Sequence, residues 1–273
     1  MRGWEKILIF KLTKIFIFIF SLPNLIMASE VKGLTQENFG ERFYGVYFGE
    51  VKLGYLIHEI SQTDEAVIQD FSMNMRMTLS EEDEREHKAK YAFSQIASRY
   101  QFKKDTGLLS AMTEADGKKY YADFSSLLDK NHFKQEISTL TAQYKGNFSY
   151  EVLISDKDGE TSKLLKLPTL HMYDYFAEIN FILSDPDVGE SRAIEVFDLD
   201  FENEVFLGAT LTLQQKEKSL DGNYEYIIQE DLDEETFTYT VDHFGNIIGA
   251  EMFGLTLIKE SKEQALTLDA KNI

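Results

Sequence analysis

The chain of 273 residues contains no cysteine. That absence excludes disulfides, thiol nucleophiles, thiolate metal sites and acylation at a lipobox cysteine. A β domain of this length can bury enough core without disulfides. Proline is nearly as scarce, with only Pro23, Pro168 and Pro186, so strand-like runs elsewhere are left unbroken. The five histidines, His58, His87, His132, His171 and His243, include no pair at i+2 or i+4 and no His-Glu-x-x-His. A local histidine zinc motif is therefore missing. A Gly-x-Ser-x-Gly nucleophile turn is missing too.

Positive charge is in short supply, with 28 Lys+Arg against 47 Asp+Glu. Long apolar runs are also rare. The only candidate near the N-terminus is interrupted by Lys11 and Lys14, whereas a spanning helix wants about 20 consecutive apolar residues. Arg2, Lys6, Lys11 and Lys14, then Ile15-Phe-Ile-Phe-Ile-Phe20, Pro23, Ala28 and Ser29 follow the order of a cleaved export signal. The expectation is a signal over residues 1–28 and an exported domain over 29–273, periplasmic or secreted, with an internal division near 145–190. A retained anchor is the alternative. Removing residues 1–28 takes away four basic groups and Glu5, leaving 24 against 46 and a net charge of −22. Such a surface repels nucleic acid and anionic membrane, so neither is expected as a partner.

What is abundant is alternation. Phe71-Ser-Met-Asn-Met-Arg-Met-Thr-Leu79 alternates apolar and polar residues over nine positions. Phe148 to Ile154, Val205 to Leu213 and Phe237 to Val241 repeat the pattern, and Tyr91 to Phe102 is aromatic-rich and extended in character. One buried face and one wet face per strand is the habit of antiparallel sheets. Turn-forming pairs and triplets, Asp105-Thr-Gly107, Asp116-Gly117, Asp158-Gly159, Asp221-Gly-Asn223 and Phe244-Gly-Asn246, separate these runs as hairpin connections should. One helix is expected from Thr169 to about Leu183, after Pro168, with apolar residues at spacings of three and four. A second short one is expected near Ser125 to Asp129. The fold class is mainly β (α+β): a curved antiparallel sheet or half-barrel, in one piece or as two similar halves, with one or two helices packed on it.

Tyr44-Gly-Val-Tyr-Phe-Gly-Glu-Val-Lys-Leu-Gly-Tyr55 invites comparison with a phosphate-cradling glycine loop. Such a loop needs a helix after it, with amides facing the anion. Leu56-Ile-His-Glu-Ile60 follows instead and is strand-like. The stretch reads as a hairpin with Gly49-Glu50 as a type II′ turn.

Two groups of residues are candidates for binding. The stripe Phe71, Met73, Met75, Met77 and Leu79 would serve a core or line an adaptable ligand-facing surface. Asp198, Asp200, Glu202 and Glu204 stand at alternate positions and would share one face of a strand. They are weak calcium candidates, because the glycine and closing glutamate of a helix–loop–helix site are absent. No metal and no cofactor is expected, and no catalytic residue stands out.

The opening hairpin residues Tyr44, Gly45, Tyr47, Lys52, Gly54 and Tyr55 have two companions further on. These are Asp187-Val-Gly-Glu190, leading into a strand, and Asp242 to Glu251 with Gly254-Leu255 and Glu260-Ser-Lys-Glu-Gln-Ala265. Together, over residues 41–266, they resemble the β-rich region that precedes the transglutaminase-like domain in secreted bacterial proteins. The Cys-His-Asp core of that family would begin about where this chain stops, and it has no counterpart here. The resemblance thus implies the non-catalytic β module alone. The expected function is a non-enzymatic exported module that binds a partner protein of the envelope or an apolar ligand. An envelope scaffold without a small ligand, or a carboxylate-based hydrolase, are the alternatives.

Overall fold

A computed structural model describes residues 34–78, 91–103, 107–121, 137–147, 149–156, 159–166, 175–199, 204–219, 222–232, 235–252 and 254–268. After a 3-10 turn at Gln36–Asn38 come strands β1 (Gly40–Phe48), β2 (Val51–Gln62), β3 (Ala66–Thr78), β4 (Tyr91–Lys103), β5 (Gly107–Tyr121), β6 (Ile137–Gly146), β7 (Ser149–Asp156) and β8 (Gly159–Lys166). Helix α1 (Ala177–Leu183) precedes β9 (Ser191–Leu199), β10 (Glu204–Lys218), β11 (Tyr224–Leu232), β12 (Glu235–Asp242), β13 (Ile247–Met252), β14 (Leu255–Glu260) and helix α2 (Lys262–Leu266).

All fourteen strands form one antiparallel sheet in the order β8-β7-β6-β5-β4-β3-β2-β1-β14-β13-β12-β11-β10-β9. Every neighbour in the sheet is a neighbour in sequence except one pair, β1 with β14. The two runs of hairpins therefore join at the chain's first and last strands, and the mid-chain strands β8 and β9 are the edges. The mainly β class with packed helices is thus observed, with the fourteen described strands in one large open sheet.

Between β8 and β9 the chain must travel from one edge to the other, and it carries α1 over the inner face. Tyr175 just before the helix packs 4.4 Å from the Phe102 ring of β4. Ile179, one turn later, lies against Gly245 in the β12–β13 hairpin. Five strand spacings of about 4.8 Å separate β4 from β13, yet one helical turn rises only about 5.4 Å. Only a sheet curled around the helix brings both contacts together.

The alternation sorts the faces as expected. Leu56, His58 and Ile60 of β2, Tyr226, Ile228, Glu230 and Leu232 of β11, and Phe237, Tyr239 and Val241 of β12 are buried, with half-buried residues between them. The core is contiguous across both runs of hairpins and includes Tyr44, Val46, Met73, Phe102, Val152, Phe181 and Leu211.

Several local expectations are corrected. Asp116-Gly117 is no turn: it lies inside β5, where Gln95 pairs with Asp116 and Phe93 with Lys119, so the glycine marks a bulge. The Asp198–Glu204 run is not one strand face either. Asp198 belongs to β9 and Glu204 to β10, and the two strands fold back on each other. The described part of the expected helix begins at Ala177, while Thr169 lies outside the described residues. The helix near Ser125 to Asp129 and the turns at Asp105-Thr-Gly107, Asp158-Gly159 and Asp221-Gly-Asn223 also lie wholly or partly outside them. So does the export signal over residues 1–28. No helix among the described residues is long and apolar enough to cross a membrane.

The opening hairpin forms as read. Phe48 pairs with Val51 around Gly49-Glu50, and Gly49 has φ 58° while Glu50 keeps a negative φ. That combination belongs to a type II′ turn.

Candidate functional site: a polar pocket under the inner helix

The inner face is apolar except near its centre. There β1, β2 and β3 place Arg42, His58 and Gln69 close together, with Arg42 opposite His58, and Ile60 opposite Gln69. Helix α1 lowers Glu178 and Ile179 onto this group, and Gly245, Asn246 and Ile247 close it from the β12–β13 hairpin. Tyr175 and Phe176 complete the wall. The cavity between them is about 20 Å³. That is room for one or two water-sized groups, far less than a sugar ring needs.

The hairpin is held rigidly over the pocket. Asp242 Oδ1 accepts hydrogen bonds from the Phe244 and Asn246 amides at 2.9 Å each. Asn38 Nδ2 donates to the Phe244 carbonyl and to Asn246 Oδ1, both at 2.9 Å. Tyr44 Oη donates to the Ile247 carbonyl at 2.9 Å. Gly245 adopts φ 78°, and a Cβ there would come within 2.6 Å of the Ile179 Cα. Only glycine lets hairpin and helix backbones approach so closely.

Arg42 is buried, and its Nη2 donates to the Glu37 carbonyl at 2.7 Å. Its Nη1 has no hydrogen-bond partner among the described residues. Burial lowers its pKa, opposed by Tyr44 and Asp242, but an arginine starts so high that it keeps its charge. No ion pair joins it to Asp242 among the described residues; the Asp242 oxygens accept from the hairpin amides and Asn246 Nδ2, and its charge still acts on the guanidinium. The His58 ring stacks on Phe71 at 4.6 Å and 19°, with Gln69 Nε2 at 3.1 Å from its Nε2. Burial, then the Arg42 charge, holds the His58 pKa well below the usual histidine range, so the ring is neutral.

Glu178 is buried, and its Oε1 lacks a partner among the described residues. Burial, then the Glu230 carboxylate, drives its pKa well above the usual range. Glu230 accepts from Tyr239 Oη at 2.7 Å and is pushed up to about 8, chiefly by burial. Burial thus holds both acids towards their neutral forms in the folded chain. An unpartnered buried polar group costs about 1–3 kcal/mol. Burying Tyr175, Phe176, Phe181 and Ile182 returns about 1.5–3 kcal/mol each, so the helix stays seated in spite of its acid.

The residues singled out in the sequence fall elsewhere. Phe71, Met73 and Met75 are core residues. The Met77 side chain and Leu79 lie outside the described residues, as do Asp200, Glu202 and the side chains of Asp198 and Glu204. Among the described residues no group of three His, Asp or Glu is placed to hold a metal ion. Arg42, Gln69, Glu178 and Glu230 were not visible as site residues by motif. Their signal was a break in phase: His58 stands where Leu56 and Ile60 are apolar, and Glu230 where Ile228 and Leu232 are.

No family model, curated protein or solved structure matches this chain.

Proposed function

We propose that this is a non-enzymatic exported module of the bacterial envelope whose inner sheet face is a binding surface for an apolar ligand. One observation carries the reading. The centre of an otherwise apolar face holds a knot of buried polar atoms, of which those of Arg42, Gln69, Tyr175 and Glu178 have no partner among the described residues, beside a cavity and beneath a short helix. Core packing alone gains nothing from such groups, because each costs free energy when it is left unpaired. A face that receives a ligand does gain from them, since a few fixed polar groups among apolar walls give orientation. Leu56 and Met73, and beyond them Val46 and Met75, lie in register on the same face beside the polar row. Buried in the core at present, they would supply the apolar part once a ligand parts their packing.

The resemblance to the β-rich region before transglutaminase-like domains belongs to the same proposal. It is supported by the meeting of its opening and closing motifs: Lys52 Nζ of the first hairpin contacts Glu260 Oε2 at 2.6 Å and the Gln264 carbonyl at 2.6 Å.

Organic extraction and mass spectrometry of the protein purified from an envelope fraction tests the reading. An acyl or other apolar compound near one per chain is expected, rising in Gly245→Ala, where the helix seat is disturbed. Its absence from both proteins overturns the proposal.

A further inference from the structure

We propose that the Arg42 pocket is a binding site for a small monoanionic group, a carboxylate head or a halide, held by Arg42 Nη1 with Tyr175 and Glu178 facing it. The inference deepens the inner-face reading and rests on it for any ligand tail, though not for the anion itself. Arg42, Gln69, Tyr175 and Glu178 all line the cavity. Each has a buried polar atom with no hydrogen-bond partner among the described residues: Nη1, Oε1, Oη and Oε1. They come from β1, β3, the turn before α1 and α1 itself, so their convergence is not a property of one local segment.

The charge balance selects the sign of the occupant. Arg42 is a buried guanidinium with one carbonyl partner and no ion pair among the described residues. Asp242 acts on Arg42 through its charge, but its oxygens accept from the hairpin amides and Asn246 Nδ2. Glu178 is driven towards its neutral form by burial, which makes it a donor as well as an acceptor. Tyr175 Oη stays protonated for the same reason. His58 is neutral. The pocket therefore offers a guanidinium nitrogen with no hydrogen-bond or ion-pair partner among the described residues, beside the Tyr175 and Glu178 hydroxyls. A cation finds no carboxylate here to pair with, and a dianion exceeds the one charge on offer. The cavity admits one small group, and the chain of a carboxylate there would have to part the packing of Tyr44, Leu56 and Met73, the buried row next to it.

Bromide is the probe for the anion. Crystals soaked in sodium bromide should show an anomalous peak within hydrogen-bonding distance of Arg42 Nη1; an ordinary water at that place overturns the proposal. In solution, the melting temperature should rise saturably when bromide replaces gluconate at constant ionic strength. The expected shift is about 3–6 °C at a tenfold excess over the dissociation constant. Arg42→Gln should lose the shift and Arg42→Lys retain part of it. If bromide acts equally on wild type and both variants, the site does not exist. The wild-type crystal experiment decides the matter even if Arg42→Gln fails to fold. Decanoate and decanol separate the sources of the anion. Decanoate displacing bromide, with decanol inert, assigns the head group of an acyl ligand. Bromide binding with decanoate inert leaves a free-anion site and overturns the inner-face ligand reading instead.

Discussion

Lys52 and Glu260 stand 208 residues apart in sequence and form an ion pair at 2.6 Å, with side chains only 11% and 13% exposed. Glu260 also accepts from Tyr47 Oη, and Lys52 donates to the Gln264 carbonyl at 2.6 Å. The pair thus ties the first hairpin to the last strand and to α2, on the face opposite α1. Since β1 and β14 are, among the described strands, the only sheet neighbours not consecutive in sequence, this contact guards the seam between the two runs of hairpins.

Removing one partner leaves the other charge half-buried and unpaired. Glu260→Gln or Lys52→Met alone should cost about 2–4 kcal/mol in urea unfolding. Replacing both with apolar residues should cost less than the sum of the two single changes. Single changes that each stay within experimental error would show that the seam is held by β1–β14 pairing alone.

The two glycines of the returning strands offer a sharper contrast. A Cβ on Gly54 would lie 1.9 Å from the Asn74 carbonyl oxygen, whereas one on Gly208 meets nothing within 4 Å. Backbone cannot give way as a side-chain end can. Gly54→Ala should therefore destabilise by about 3 kcal/mol or more through overpacking. Gly208→Ala should be neutral or stabilising by about 0.5–1 kcal/mol, because alanine loses less entropy on folding. Thermal melts of the two variants compare them directly. Equal losses at both positions would mean the β2–β3 approach is looser than described.

How far the sequence revealed this fold follows from which forces act locally. Period-two alternation marked β3, β7, β10 and β12, because each has one buried face and the pattern repeats every second residue. It left the strand ends short, as with β10, which runs on to Lys218 through a polar, exposed half. Nothing local distinguishes one sheet of fourteen strands from two smaller ones. That choice rests on the pairing of Tyr44 with Lys259, contacts more than 200 residues apart. Helix α2 was legible but passed over: Ser261 and Gln264 form a reciprocal capping box. The pocket was hardest to see, since its members come from five segments far apart in sequence. Only the polar interruptions at His58 and Gln69 announced it.

The buried acids make stability depend on pH in a direction that can be worked out. Glu178 and Glu230 face one another's field beneath α1, with Tyr239 and Asp231 acting on Glu230, and Tyr175 and Tyr239 near Glu178. Their ordinary value is 4.5, and burial raises Glu230 to about 8 and Glu178 in the same direction. Between those values the folded chain binds more protons than the unfolded one, so unfolding free energy falls as pH rises. The contribution is fully present below about pH 4.5 and is lost as pH passes through about 8. The melting temperature should therefore drop across this window. Glu230→Gln keeps an acceptor for Tyr239 Oη but cannot ionise, so its profile should be flatter, and that of the double Glu178→Gln, Glu230→Gln variant flatter still. Hydrogen exchange locates the effect: the α1 amides of Asn180 and Ser184, bonded to Phe176 and Asn180, should lose protection at alkaline pH before those of β11. Parallel melting profiles for wild type and variants would show that other groups govern the pH response.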